Sequence, residues 1–281
     1  MFKNNNFIER SIAGALSFLK ESVFAEEYAM RSGLLQSLDP RVKAGTVFFF
    51  IAGMLLCKNI YILFFCYALC LALAVFSRIN LGFFLKRTWI FMPLFSLFIA
   101  LPAVFGVFSP GDEIFSFKLF SFTLAITRQG LWGAALFVTR VIVSVSFAVL
   151  LSLTTRHFQL LRVLRIFGIP QIFVMTLGMC YRYVYLFVEM LENTYRAIKS
   201  RVGSSMDYRK GQSIVAGNIS FLWERSLRLN EQVYQAMLSR GYRGEALIID
   251  DFKIRRKDWL WLAGSAALLA GIFYFNLILK V

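Results

Sequence analysis

Leu131 to Leu153 reads LWGAALFVTRVIVSVSFAVLLSL, a run of 23 residues with one charge. A hydrocarbon core about 30 Å thick is crossed by about 20 apolar residues in an α-helix, so this run reads as a membrane span. The whole chain agrees. Of its 281 residues 58% are hydrophobic, 31 are Phe and the mean hydropathy is +0.64, which is more large apolar side chain than one soluble core uses. The expected fold class is an all-α integral membrane protein.

Four further apolar runs lie outward from that span. Ala44–Cys57 is short and must tilt or use the aliphatic stems of Lys43 and Lys58. Ile60–Phe76 returns almost at once, so the two make a helical hairpin. Trp89–Phe108 is the third span, interrupted by Pro93 and Pro102, and Trp259–Leu279 is the fifth. Cations cluster at one end of each: Arg41 and Lys43 before the first span, Arg78, Lys86 and Arg87 between the second and third, and Arg255, Arg256 and Lys257 before the fifth. The opposite loop, SPGDEIFSFK from Ser109, carries Asp112 and Glu113 against Lys118 alone. By the positive-inside rule the N-terminus is cytoplasmic and the protein a multi-pass component of the inner membrane. The expected divisions are an N-terminal segment 1–43, spans one to four in 44–153, a cytoplasmic region 154–258 and a last span in 259–281.

The cytoplasmic region begins ambiguously. IFGIPQIFVMTLGMCYRYVYLFVEML, from Ile166, is apolar but interrupted by Arg182, which suits a partly embedded helix starting after Pro170. Charged and apolar positions then alternate at helical spacing through Glu245, with a break at VGSSMD, residues 202–207. Two long amphipathic helices are predicted, one ending near Arg201 and one near Arg240.

Those two endings repeat each other. ENTYRAIKSR, Glu192–Arg201, and EQVYQAMLSR, Glu231–Arg240, agree at Glu, Tyr, Ala, Ser and Arg in one register. On a helix Ala197 and Arg201 share a face, as do Ala236 and Arg240, while Glu192 and Tyr195 occupy another. A small residue one turn below an arginine lets another protein approach while the guanidinium reaches acceptors in a groove. Gly241 can end the second helix in a left-handed conformation. Two copies imply two equivalent docking sites, as a pseudo-symmetric partner dimer would offer; the bland alternative is a pair of surface helices rich in common residues.

Catalytic chemistry is not offered. The single histidine, His157, stands beside the basic stretch TTRHFQLLRVLR, and the sequence contains no HExxH, no phosphate-binding GxxxxGK[ST] and no paired intramembrane carboxylates. No catalytic, cofactor or metal residue is assigned, and any ATP-driven role requires separate ATPases. Cys57, Cys66, Cys70 and Cys180 lie in or beside apolar runs and read as packing groups. The net charge of +15 does not argue for nucleic acid, because the aromatics fall inside apolar runs rather than on a soluble basic face. Arg140, within the fourth span, must face protein or water; a bond to backbone carbonyls or another helix is preferred over a transport path. Gly264, Ala267 and Gly271 suggest close helix packing in the fifth span, with the partner's identity open.

With Ser200-Arg201-Val202 and Ser239-Arg240-Gly241 at two helix ends, the chain resembles the transmembrane T component of energy-coupling factor (ECF) transporters, whose signature is a pair of Ala-Arg-Gly-like triplets. SLDPRVK, with Asp39, Pro40 and Arg41, is similar to that family's segment before its first span. Thr154-Thr155, Gly168-Ile169-Pro170 and Arg182 are similar to its middle landmarks. The N-terminal extension and the ending RGYRGE, Arg240–Glu245, look most like the cobalt branch, CbiQ. Serine replaces each Ala of the triplets, and Val202 stands where the first Gly would be. The resemblance implies docking of two ATP-binding-cassette subunits (CbiO-like) on Ala197, Ser200 and Arg201 and on Ala236, Ser239, Arg240 and Gly241. It further implies a substrate-binding S component (CbiM-like, with a small CbiN-like subunit) and cobalt as cargo, with nickel or a vitamin as the alternative. Arg140, Pro170, Arg182, Glu192 and Glu231 are expected in structural or coupling roles. Two other classes compete: a membrane enzyme using Arg140 and Arg182 on an anionic lipid, and a scaffold whose basic helices bind anionic lipid.

Overall fold

A computed structural model describes Gly14 and residues 28–31, 33–89, 92–104, 113–119, 122–202, 208–244 and 254–278. The helices are α1 (Pro40–Leu56), α2 (Ile60–Phe76), α3 (Leu81–Trp89), α4 (Met92–Val104), α5 (Arg128–Thr154), α6 (His157–Ile166), α7 (Gln171–Val202), α8 (Tyr208–Ser239) and α9 (Arg256–Ile278). The chain is a helical membrane protein. Among the described residues α5, Gln171–Thr194 of α7 and Arg256–Asn276 of α9 are long and apolar enough to cross a bilayer, and α2 is a shorter apolar helix.

Two features differ from the sequence reading. Trp89, the expected start of the third span, falls in amphipathic α3, and the described part of that run beyond it, Met92–Val104, is the helix α4 with Pro102 inside it. Pro93 sits in the first turn of α4, where a missing N–H costs nothing. Between α4 and α5 the chain forms a β-hairpin, β1 (Glu113–Leu119) antiparallel to β2 (Phe122–Thr127), with Phe117 opposite Leu124 and an irregularity between Glu113 and Phe115. Its short run of alternating residues is too brief to stand out from the apolar spans around it.

The chain folds as two compact units, one formed by Glu26–Leu160 with Phe252–Val281 and the other built on Leu161–Asp251. In the first, α5 is the hub, with α1, α2, α3 and α4 all packed on it, while α9 packs on α1. The α1–α5 seam is antiparallel and has three rungs. Lys43 Nζ donates to the Thr154 carbonyl at 3.0 Å, the Phe50 and Phe147 rings stack at 5.4 Å, and Arg140 Nη2 donates to the Cys57 carbonyl at 2.6 Å. Lys43, Phe50 and Cys57 follow one another at heptad spacing, as do Arg140, Phe147 and Thr154, the period of helices that cross at a shallow angle. Each terminal rung sets a cation on the last carbonyls of the opposing helix, where the helix dipole is negative.

The starts of α1 and α9 are tied together. Asp39 caps α1, accepting the Arg41 N–H at 2.8 Å, and Pro40 occupies the first helical position. Asp258, 2% exposed, accepts the Asp39 N–H at 2.9 Å and the Arg255 N–H at 2.7 Å. Trp261, Leu269 and Ile272 lie on the partly buried side of α9 with buried Ser265. A Cβ on Gly264 or Gly271 would meet nothing within 4 Å, and Ala267 is exposed, so these small residues pack on no described helix of this chain and their expected packing partner is left open. Gly53 is the close-packed one, its absent Cβ 3.2 Å from Leu269 Cδ2.

Candidate functional site

The second unit carries the repeated segments. α7 ends at Val202 and α8 at Ser239, as the sequence reading places them, and α7 begins at Gln171, directly after Pro170. That start is prepared by a left-handed Gly168 (φ 88) closing α6: the Gly168 N–H donates to the Arg165 carbonyl at 3.2 Å and the Ile169 N–H to Leu164 at 3.4 Å. The same two-bond closure ends α8. Gly241 has φ 82, its N–H donates to Leu238 at 2.9 Å, and the Tyr242 N–H donates to Met237 at 3.0 Å. This is a Schellman cap with glycine at the position that an L-residue with a Cβ resists.

The two triplets match in local geometry. Ser200 Oγ donates to the Ala197 carbonyl at 2.8 Å, and Ser239 Oγ donates to the Ala236 carbonyl at 3.0 Å. In both copies the serine hydroxyl is thus folded back on the carbonyl of the repeat's alanine, and Ala197, Arg201, Ala236 and Arg240 are all exposed. The copies differ at their glutamates. Glu192 forms an i,i+4 ion pair with Arg196 at 2.6 Å, whereas the residue four beyond Glu231 is Gln235, which carries no charge to pair with it.

A contact missed by the sequence reading fixes where the tips lie. Tyr242, just past the second arginine, points its Oη at Met175 Sδ (3.9 Å) and donates to the Gly244 carbonyl at 3.0 Å. The end of α8 therefore meets the first turns of α7. Arg201 stands 26 residues beyond Met175 on the same helix, about 39 Å at 1.5 Å per residue. The two arginine tips are held far apart, at opposite ends of α7. No sequence signal separates Tyr242 from any other tyrosine; only its i+2 position after the arginine marks it.

The remaining residues fall elsewhere. Arg182 is exposed on α7, and Tyr181 and Tyr185 beside it share a hydroxyl–hydroxyl bond of 2.6 Å. Arg140 belongs to the α1–α5 seam, 14 residues from Thr154 or about 21 Å along α5, and half-buried. Lys43, immediately before the apolar run Ala44–Cys57, is 3% exposed; burial pushes its ammonium down to about 8, with Asp39 and Asp258 pulling back. Beside it a cavity of about 20 Å³ is lined by Leu35, Phe50, Phe147 and Trp261, too small for a substrate. Among the described residues no three His, Cys, Asp or Glu side chains are grouped to hold a metal ion.

These features define a helical membrane protein, one unit of which presents two matched, widely separated arginine tips. The chain belongs to the CbiQ family, described as cobalt transport protein, whose profile matches residues 31–248. It is a T component of the energy-coupling factor type. It is 32% identical over 273 residues to an uncharacterized protein of Methanocaldococcus jannaschii, covering 97% of this chain and 93% of that one. It is 26% identical over 269 residues to the energy-coupling factor transporter transmembrane protein EcfT of Streptococcus thermophilus, covering 90% of this chain and 95% of the relative.

Proposed function

We propose that this T component is the coupling subunit of a cobalt importer, gripping two CbiO-like ATPases through Arg201 and Arg240 and passing their motion to a CbiM-like substrate-binding subunit, with a small CbiN-like partner. The observation that carries the reading is the separation along α7 of two tips that share the same Ser–Ala hydrogen bond and exposed arginine. The tips stand about 39 Å apart along α7, a spacing at which two copies of one ATPase can each take one. Ala197 and Ala236 leave room for the partner surface, and each guanidinium offers a planar set of donors to its acceptors. Arg201 and Arg240 are both exposed, within reach of a partner surface. The chain spans the inner membrane several times with its N-terminus in the cytoplasm, on the side where the flanking cations lie. It performs no catalysis of its own, and its cargo is carried by another polypeptide; nickel or a vitamin is the alternative cargo.

The test is co-purification and uptake with Arg201→Glu and Arg240→Glu. Charge-assisted hydrogen bonds contribute about 1.5–3 kcal/mol each, so losing one weakens ATPase binding by roughly 10-fold to 150-fold, while helix content is unchanged. Normal assembly and normal metal uptake in both variants would sink the docking role.

A further inference from the structure

The corner between α2 and α3 gathers positive charge from two distant parts of the sequence. Residues 28–31 and 33–38 fold onto it. The Leu34 N–H donates to the Phe76 carbonyl at 3.4 Å, and Gln36 Nε2 donates to the carbonyls of Ser77 at 3.0 Å and Tyr28 at 3.2 Å. The approach is close enough that a Cβ on Gly33 would stand 2.9 Å from the Ser77 carbonyl oxygen. Tyr28 then stacks on Phe83 of α3 at 5.4 Å, and Arg31 lies over the Tyr28 ring at 4.5 Å. Arg31 is thereby brought to the helix that bears Lys86 and Arg87, next to the corner residue Arg78. All four cations are exposed. Neither Tyr28–Leu38 nor Phe76–Trp89 contains an Asp or Glu.

Arg78 is held at φ 54, where an L-residue is strained and glycine is the usual occupant. It closes α2 with the same pair of bonds as Gly168 and Gly241, its N–H donating to Val75 at 2.9 Å and the Ile79 N–H to Ala74 at 3.1 Å. A glycine there would close the helix without strain, so what the corner retains is the guanidinium.

α3 itself has three arcs. Phe84 and Thr88 are buried at 0% exposure against the bundle. Leu81, Leu85 and Trp89 are exposed and fall within about 80° of one another at 100° per residue. Lys86, Phe83 and Arg87 occupy the third arc. An inward face, an apolar exposed face ending in a tryptophan, and a basic face are the features of a helix lying in a membrane interface. Trp89 is fixed there by its Nε1–H, which donates to Tyr67 Oη at 2.8 Å.

We infer that Arg31, Arg78, Lys86 and Arg87 form a binding surface for anionic phospholipid headgroups, with Leu81, Leu85 and Trp89 set against the acyl chains. The four exposed cations attract an anion, and one with an attached apolar tail satisfies both exposed arcs of α3 at once.

Trp89 supplies the probe. Full-length protein is reconstituted in vesicles containing brominated phosphatidylglycerol or brominated phosphatidylcholine at equal mole fraction, and the Trp89 signal is taken as the difference from Trp89→Phe. Quenching should favour phosphatidylglycerol several-fold in the native sequence. Each cation removed, as Arg31→Gln, Arg78→Gly, Lys86→Gln or Arg87→Gln, should reduce that preference by about threefold to fivefold. Arg78→Gly should fold at least as well as the native chain because it relieves a strained φ, so it tests the surface even if a combined variant fails to fold. Equal quenching by the two lipids, or a preference that survives Arg78→Gly and Lys86→Gln unchanged, would overturn the inference.

Discussion

Gly241 and Gly168 offer a paired test of the helix-end geometry beside Arg240. Both close a helix at positive φ, 82 and 88, and a Cβ on either would meet nothing within 4 Å. The cost of Gly→Ala is therefore purely conformational, roughly 1–2 kcal/mol for forcing an L-residue into the left-handed region. That energy shifts the local open-to-closed ratio by a factor of about 5–30. Hydrogen exchange reads it directly, since the amides of Gly241 and Tyr242 donate to Leu238 and Met237. In Gly241→Ala the amides at 241 and 242 should exchange about 5-fold to 30-fold faster, with the middle of α8 unaffected. Gly168→Ala should show the same acceleration at 168 and 169. Only the Gly241 variant should also lose ATPase, because only there does the cap orient a docking arginine. Unchanged exchange in both variants would refute the conformational argument, and equal ATPase loss in both would refute the assignment of the docking end.

Two further outcomes follow from buried contacts. Gly33→Ala pushes a methyl group against the Ser77 carbonyl oxygen and the Gln36 side-chain amide; overpacking of this kind costs about 1–3 kcal/mol, so trypsin should cut after Arg31 about tenfold faster, and an unchanged rate would show that the segment is not held there. Lys43 gives a pH dependence with a definite sign. Its folded ammonium releases a proton near 8 against 10.5 for the ordinary group, so between those values the unfolded chain binds more protons and stability rises with pH. Unfolding titrations in mixed micelles should show the native chain gaining on Lys43→Met from about pH 8 to 10.5, an advantage lost as pH falls through 8, and parallel curves would contradict the burial argument.

The sequence by itself determined the membrane class, because a 23-residue apolar run can be satisfied only by a helix in lipid. It also indicated where α8 stops, since helix periodicity and the glycine after Arg240 are local signals, and it singles out Arg201 and Arg240 as the proposed docking residues. The β-hairpin escaped it because six or seven alternating residues fit more than one local structure. The partnerships were decided by tertiary structure alone. Nothing local connects Lys43 to Thr154, Arg140 to Cys57 or Tyr242 to Met175, and only the folded chain shows that α9 turns Ser265 and Ile272 inward. Such contacts depend on which helices become neighbours and in what register, a choice set by the summed packing of whole faces rather than by any residue's own preference.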